Sequence, residues 1–458
     1  MYCSDTKSNE LIKRYEYASG MSGEAYEKYI TLCVDIYNST SPYKETFFEG
    51  WSQEEINDML SYSDEVSELR DANDAILIEY NKLDPEETAT FNQKTVDFYK
   101  QLLKNNNNIA RKFKDSQGNY YTNYYDYASD NVYVRDYGET ELTAMREYVG
   151  QYIVPLCVEE MGKWQKLVIP QGEEYYLYDD FMNSSYRSND TLKNYWDSYV
   201  NSFDGSMKAG LNHMFENNNY AFVNGKNSVK GAFTATIYEK DAPFCYFGPG
   251  YQTLTTVAHE IGHYYAGLHS EGSLMYDLAE THSQGNEWML MSYLEDRMLE
   301  MNYQKAYMKA FHYQMLNQLW TIMVATIVDD FESRLYKLTD AQIDKLNLAS
   351  LENVMKSVCK DYGGIAKVNS LVDIQSYWRM VALDNPVYYI SYATSGMVAL
   401  SLYSAIEQDT ATGREKYRKL VEEIDYEAGF LGNLQALNLA SPFDETAYST
   451  LYTLVNGK

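Results

Sequence analysis

Several things are scarce in this chain of 458 residues, and each scarcity excludes a class of protein. Cysteine occurs five times, at positions 3, 33, 157, 245 and 359, with no CxxC pair. An odd, scattered set encodes neither a disulfide framework nor a thiolate zinc site, so buried free thiols are expected. Lys and Arg number 38 against 66 Asp and Glu, and a net charge of −28 repels phosphate backbones and anionic lipid. Nucleic acid is therefore not an expected partner. The longest apolar run, Leu319 to Val328, stops at Asp329-Asp330, well short of the roughly 20 residues that span a bilayer. The opening Met1-Tyr2-Cys3-Ser4-Asp5-Thr6-Lys7 lacks the apolar core of a signal peptide. That start fits a cytoplasmic protein, or a secreted or lipid-anchored one whose leader has been cut away. Proline occurs only eight times, which permits long uninterrupted helices.

The chain is nonetheless rich in core material, with 45% hydrophobic and 15% aromatic residues, and its length allows several compact regions. Helix signals dominate it. Ser52-Gln53-Glu54-Glu55 reads as a capping box, Asp84-Pro85-Glu86-Glu87 as an N-cap followed by proline, and Thr339-Asp340-Ala341-Gln342 as another start. Residues 1–140 read as an N-terminal helical lobe, with Asn105 to Asn108 and Asp115 to Asn119 as turns or loops; residues 141–458 read as a second region, which holds the candidate site described next. The exception to helix lies between Gly231 and Phe247. Ala232 to Tyr238 is β-branched and aromatic, Asp241-Ala242-Pro243 is a turn signal, and Phe244 to Phe247 is a second strand-like run. After Gly248-Pro249-Gly250 a helix is expected from near Tyr251 to Thr255 as far as Leu268.

That helix carries His259-Glu260-Ile261-Gly262-His263, the HExxH pattern. Residues four apart stand one turn above each other, so both imidazoles face the same way and can share one zinc ion, with Glu260 beside them as a base. Histidines that merely pack or cap are the alternative. A second helix from about Leu274 places Glu280, Ser283, Gln284 and Glu287 on one face. A His-His-Glu set leaves zinc an open position, as catalytic zinc requires, so Glu280 is the natural third ligand. Glu287 is placed to accept the outer N–H of a ligand histidine, or else is a solvated carboxylate. His269 and His282 lie off the ligand face, and His213 and His312 have no partner pattern. The motif has no glycine-and-histidine extension of the metzincin kind.

With these residues in view, the chain resembles the thimet oligopeptidase and oligoendopeptidase F family of zinc peptidases. The resemblance rests on Lys230 to Thr234, on Ala242-Pro243-Phe244, on Thr255 to His263, and on Glu280-Thr281-His282-Ser283-Gln284-Gly285-Asn286-Glu287-Trp288. Tyr133-Val134-Arg135-Asp136-Tyr137 and Tyr388 to Gly396 are similar to stretches farther out in that family. It implies a mainly α, two-lobed peptidase with a deep cleft and a small β-sheet next to the HExxH helix. It also implies one zinc ion per chain and short to medium oligopeptides as substrates. The strand at Phe244, Cys245 and Tyr246 is implied to pair with an extended peptide. Tyr389 and Tyr392 match the family's oxyanion-donating tyrosines, which lie three apart on a helical face; in a chain with 47 tyrosines simple packing competes with that role.

Two departures stand out. No histidine follows His312, whereas the family usually has one just before its C-terminal tyrosines; Asp384, Asn385 or Tyr388 can occupy that space. The interval from His263 to Glu280 is 17 residues, several fewer than the family's usual spacing. The zinc motif also lies early in the chain, which implies an N-terminal lobe that is partly absent or trimmed. The expected chemistry is attack by a zinc-bound water on a peptide carbonyl with Glu260 as general base. An exopeptidase of the same mechanism, and a metal-bound peptide-capturing protein with weak catalysis, stay open as alternatives. Either a monomer or a small homo-oligomer is compatible with the sequence.

Overall fold

Ser52 shows how the sequence sets its helices. Its hydroxyl accepts the Glu55 N–H at 3.1 Å and Glu55 accepts the Ser52 N–H at 2.7 Å, satisfying two donors that an open helix end would leave bare. At Thr339 half of that pair forms: Gln342 Oε1 accepts the Thr339 N–H at 2.9 Å, while the Gln342 N–H bonds to the Thr339 carbonyl. The computed structural model describes residues 28–83, 88–225, 228–237, 242–270, 275–374 and 385–457. The start expected at Asp84 to Glu87, the last residue of the first strand-like run at Tyr238, the first residue of the expected turn at Asp241, the onset at Leu274, and Asp384 lie outside those residues.

The chain divides into two units. The first comprises residues 1–134, 332–351 and 382–384. It contains α1 (Gln53–Ser61), α2 (Asp64–Tyr80), α3 (Thr88–Ala110) and α4 (Tyr124–Asn131). Val66 of α2, Ile109 and Ala110 of α3, and Phe113, Tyr121 and Tyr127 make a buried cluster in which the Phe113 and Tyr127 rings stack at 4.6 Å. The asparagine run is where sequence propensity misleads. Asn105 to Asn108 do not form a turn but continue α3. Their amides find partners that local structure could not supply: Asn105 and Asn106 bond to Asn73, Asn106 also to the Tyr336 hydroxyl, and Asn107 to the Tyr336 carbonyl and the Tyr124 N–H. Tertiary bonds thus outweigh the usual preference of asparagine for turns. The turn at Asp115 to Asn119 does form, closed by Asp115 N–H to Asn119 O at 2.8 Å.

The second unit comprises residues 135–331, 352–381 and 385–458. Its sheet has three strands, β1 (Tyr220–Phe222), β2 (Ala232–Ile237) and β3 (Ala242–Phe247), in the order β1-β3-β2. β1 runs parallel and β2 antiparallel to β3, with Thr234 opposite Cys245. The small sheet lies against α5 (Leu254–Gly267), which in turn packs on α6 (Tyr276–Glu300). Around them are α7 (Gln304–Tyr336, of which Gln304–Phe331 falls here), α8 (Ile390–Gln408) and α9 (Thr410–Glu422). The apolar run at Leu319 to Val328 is a buried length of α7: Leu319, Ile322, Met323, Ile327 and Val328 are fully enclosed. Among the described residues no helix is long and apolar enough to cross a membrane. Trp288 of α6 anchors the interior, its ring 4.5 Å from that of Tyr403 on α8.

Candidate metal centre

Thr253 caps α5 by accepting the Thr256 N–H, and from there the helix carries His259, Glu260 and His263 at the spacing that stacks the two imidazoles. α6 brings Glu280 to them from the neighbouring helix. Glu280 Oε2 lies 3.4 Å from His259 Nε2 and 3.4 Å from His263 Nε2. All three ligand atoms fall within 4.8 Å of one another. Those separations are too long for good hydrogen bonds. They do match the edges of a tetrahedron around an ion with bonds near 2.0–2.1 Å, which come to about 3.3–3.4 Å.

The protons say the same. His259 Nδ1 is 2.6 Å from Glu287 Oε1. A carboxylate only accepts, so Nδ1 holds a proton and Nε2 is the nitrogen turned toward Glu280. Nε2 and a carboxylate facing one point call for positive charge between them, supplied by a second ring proton or by a metal ion that displaces it. Burial opposes a charged His259 ring, but the hydrogen bond and charge of Glu287, with Glu280 and Glu260, outweigh it and raise its pKa to about 9. Burial likewise opposes a charged Glu280, yet His263 and His259 hold it down to about 2. The donor set therefore fits zinc.

The remaining polar groups fix this arrangement. Gln314 of α7 donates to Glu287 Oε2, and Ser283 donates to Glu280 Oε2 at 3.0 Å. Asn286 spans the helix pair, donating to the Ala258 carbonyl at 2.7 Å while accepting from Tyr199. Gly262 permits the close approach, since a Cβ there would sit 2.4 Å from the His282 carbonyl oxygen. Glu260 is buried, and its Oε2 accepts from the Thr234 hydroxyl of β2 at 2.8 Å. Of these residues, Thr234, Asn286, Gln314 and Gly262 carry no signal that the HExxH reading uses. Thr234 and Asn286 fall in the stretches that carry the resemblance but without an assigned role, and the helix-interior glycine could have been flagged as a mark of close packing.

A cavity of about 800 Å³ opens beside the three ligands. Its described lining includes Glu260, Glu280, Gln284, residues Ala232 to Ala235 of β2, and Tyr388 and Tyr392. Two expectations need correcting. Phe244, Cys245 and Tyr246 do not offer an edge to a peptide, because β3 is the central strand and is bonded on both sides. The three-residue β1, too short to recognise in the sequence, takes the second edge. The outer strand is β2, whose Phe233 is 48% exposed. The tyrosine pair on the wall is Tyr388 and Tyr392 rather than Tyr389 and Tyr392; α8 begins at Ile390, and the Tyr389 ring instead packs 5.5 Å from that of Tyr392. Burial, then the Glu280 charge, pushes the Tyr388 phenol up to about 12, so it stays a donor.

The other histidines are spoken for. His213 bonds to the Tyr264 hydroxyl at 2.7 Å and His312 to Glu160 at 2.7 Å. His269 is exposed in the turn after α5. His282 is buried at the cavity wall, where burial and the nearby His263 lower its pKa to about 4.

Solved structures share this architecture. A protein of Bacillus anthracis str. Ames, provisionally designated an oligoendopeptidase F, aligns with a TM-score of 0.66 at 16% identity, over 99% of this chain and 86% of that one. PZ peptidase A, in a complex with an inhibitor, aligns at 0.68 and 16% identity, over 99% and 88%. Another protein provisionally designated an oligoendopeptidase F aligns at 0.69 and 15%, over 98% and 87%. This chain has their fold. No family model matches the sequence, and no curated protein does. The mainly helical architecture with a small sheet beside the HExxH helix is thus that of solved peptidase structures.

Proposed function

We propose that the chain is a zinc-dependent endopeptidase acting on short to medium oligopeptides. The observation that carries the reading is the convergence of His259, His263 and Glu280 at one edge of the cavity, with the Glu260 carboxylate beside them. The likeness to oligoendopeptidase F and PZ peptidase structures supports it.

His259, His263 and Glu280 hold the ion, and Glu287 orients the first ring. Zinc so held supplies Lewis acidity, acidifying water and polarising a carbonyl. Glu260 takes a proton from the attacking water and returns it to the leaving amine, its carboxylate steadied by Thr234. Tyr388 and Tyr392, on the lining of the same cavity, donate to the carbonyl oxygen as it gains charge. The outer edge of β2 aligns the extended peptide through backbone hydrogen bonds. Among the described lining residues there is no Lys or Arg to anchor a terminal carboxylate, which favours cleavage at internal bonds.

Metal analysis of the purified protein, with mass spectrometry of a peptide mixture before and after chelation, tests this. Bound zinc, internal cleavage that stops on chelation, and recovery with added zinc are expected. Metal-free protein that cleaves at full rate, or zinc-loaded protein that cleaves nothing across a broad panel, would overturn it.

A further inference from the structure

We infer that Gln284 donates a hydrogen bond to a backbone carbonyl of the bound peptide, held in that role by a relay of oriented amides that starts at Trp288. The inference rests on the peptidase reading and adds a substrate contact to it.

The orientation follows from one donor that cannot reverse. An indole N–H only donates, and Trp288 Nε1 lies 3.3 Å from Gln318 Oε1. The oxygen of Gln318 must therefore face Trp288, since the opposite orientation would set two donors against each other. Gln318 Nε2 then points the other way and donates to Gln284 Oε1 at 2.9 Å. With its oxygen occupied, Gln284 is left presenting its NH2 group, for which no acceptor is found among the described protein atoms. Trp288 and Gln318 are both buried, so water does not relax this order. Gly396 on α8 makes room for the relay, because a Cβ there would stand 2.7 Å from Gln318 Nε2.

Gln284 is itself only 8% exposed and lines the cavity. It stands one helical turn beyond Glu280 on the same face of α6, so its donor and the metal ligands look into one space. The NH2 group opens onto the cavity, where water accepts from it until a substrate oxygen takes that place. A substrate carbonyl does so. A terminal carboxylate is the weaker candidate, because Gln284 is neutral and the described lining offers Glu260 and Glu280 but no Lys or Arg.

The test uses zinc-loaded Glu260→Gln protein, in which turnover is silenced. It measures the affinity for a peptide that the wild-type protein cleaves, as its acetylated and amidated form and as its free acid. Adding Gln284→Glu keeps the oxygen that accepts from Gln318 but replaces the donor with an acceptor; adding Gln284→Met removes both. Each is expected to weaken binding of both peptide forms about 5- to 10-fold, the worth of one hydrogen bond, with zinc content unchanged. Should Gln284→Met fail to fold, Gln284→Glu decides alone. Unchanged affinity in Gln284→Glu overturns the inference, and a loss confined to the free acid overturns the carbonyl assignment. Absence of peptide binding with Gln284 intact overturns the peptidase reading and this inference together.

Discussion

Gly262 separates two opposing predictions for one methyl group. It lies inside α5, where replacing glycine by alanine ordinarily stabilises a helix by about 1 kcal/mol. Here the added Cβ would meet the His282 carbonyl oxygen at 2.4 Å, Ser283 Cα at 2.6 Å and the His282 carbonyl carbon at 2.9 Å. All three are α6 backbone atoms, which no rotamer change moves aside. Restoring ordinary contact requires α5 and α6 to part by about 1 Å. Overpacking of this kind costs about 1–3 kcal/mol, and stretching the Asn286 bond to the Ala258 carbonyl adds about 1 kcal/mol. Net destabilisation of about 1–3 kcal/mol follows, or a fall in Tm of about 2–6 °C for a unit of this size. The same parting separates His259 and His263 on α5 from Glu280 on α6. Metal sites tolerate distance errors of only about 0.2 Å, so zinc affinity should fall at least tenfold. Thermal melts with and without chelator, and zinc titration against a competing chelator, read both effects. A Gly262→Ala protein that melts higher than wild type, or binds zinc within twofold of it, would refute the packing argument.

Glu260→Gln should retain zinc while turnover drops by about 10²–10⁴-fold; metal analysis beside a peptide assay checks this, and normal turnover excludes Glu260 as the base. Glu287→Gln should weaken zinc binding about 10- to 100-fold by loosening the His259 ring, and unchanged competition with a chelator would contradict it. Thr234→Val, nearly isosteric, should lower turnover about tenfold with zinc content intact, because the Glu260 carboxylate loses its hydroxyl partner; Thr234→Ser should recover most of it, and failure of that rescue would make the effect one of packing. Burial pushes the Cys157 and Cys245 thiols far up and, with the Asp330 charge, the Cys359 thiol up to about 12. These three and the buried Cys33 should not react with a thiol reagent between pH 7 and 9 in the native state, whereas all five cysteines should appear after denaturation. Rapid reaction of the folded protein at those four would count against their burial.

What the sequence made legible about the site is what helix periodicity encodes. Two histidines four apart, and a face holding Glu280, Gln284 and Glu287, need only 3.6 residues per turn to be placed. The structure brings His259, His263 and Glu280 to one ion-sized gap, Glu287 to the His259 ring and Gln284 to the cavity lining. What stayed hidden depends on contacts between distant segments. The asparagine run reads as a turn until Tyr336, more than 200 residues away, accepts its amides. β3 reads as a free strand until Tyr220 to Phe222 pairs with it. Tyr388, rather than Tyr389, lines the cavity with Tyr392, and Tyr388 and Tyr389 both precede the helix that starts at Ile390, where periodicity does not assign a face.

The position of Tyr388 is itself a product of such long-range order. Val387, just before it, has φ of +66°, a left-handed conformation that a β-branched side chain adopts only under constraint. The constraint comes from Arg135, in the upstream tyrosine-rich stretch, whose guanidinium donates to the Val387 carbonyl at 2.8 Å and to the Ser391 hydroxyl at 3.2 Å. Asp277 balances that buried charge, its Oδ1 3.7 Å from Arg135 Nε and accepting from Tyr137, Ser391 and Thr394. Because Asp277 lies on α6 one turn before Glu280, a single carboxylate ties the segment bearing Tyr388 to the helix bearing the third ligand. A buried ion pair of this kind adds little net stability, but losing one member leaves a charge stranded at about 3–5 kcal/mol. Its physical consequence is registration. The Arg135 and Asp277 contacts hold the turn at Val387, and Tyr388 beside it lines the same cavity as His259, His263 and Glu280.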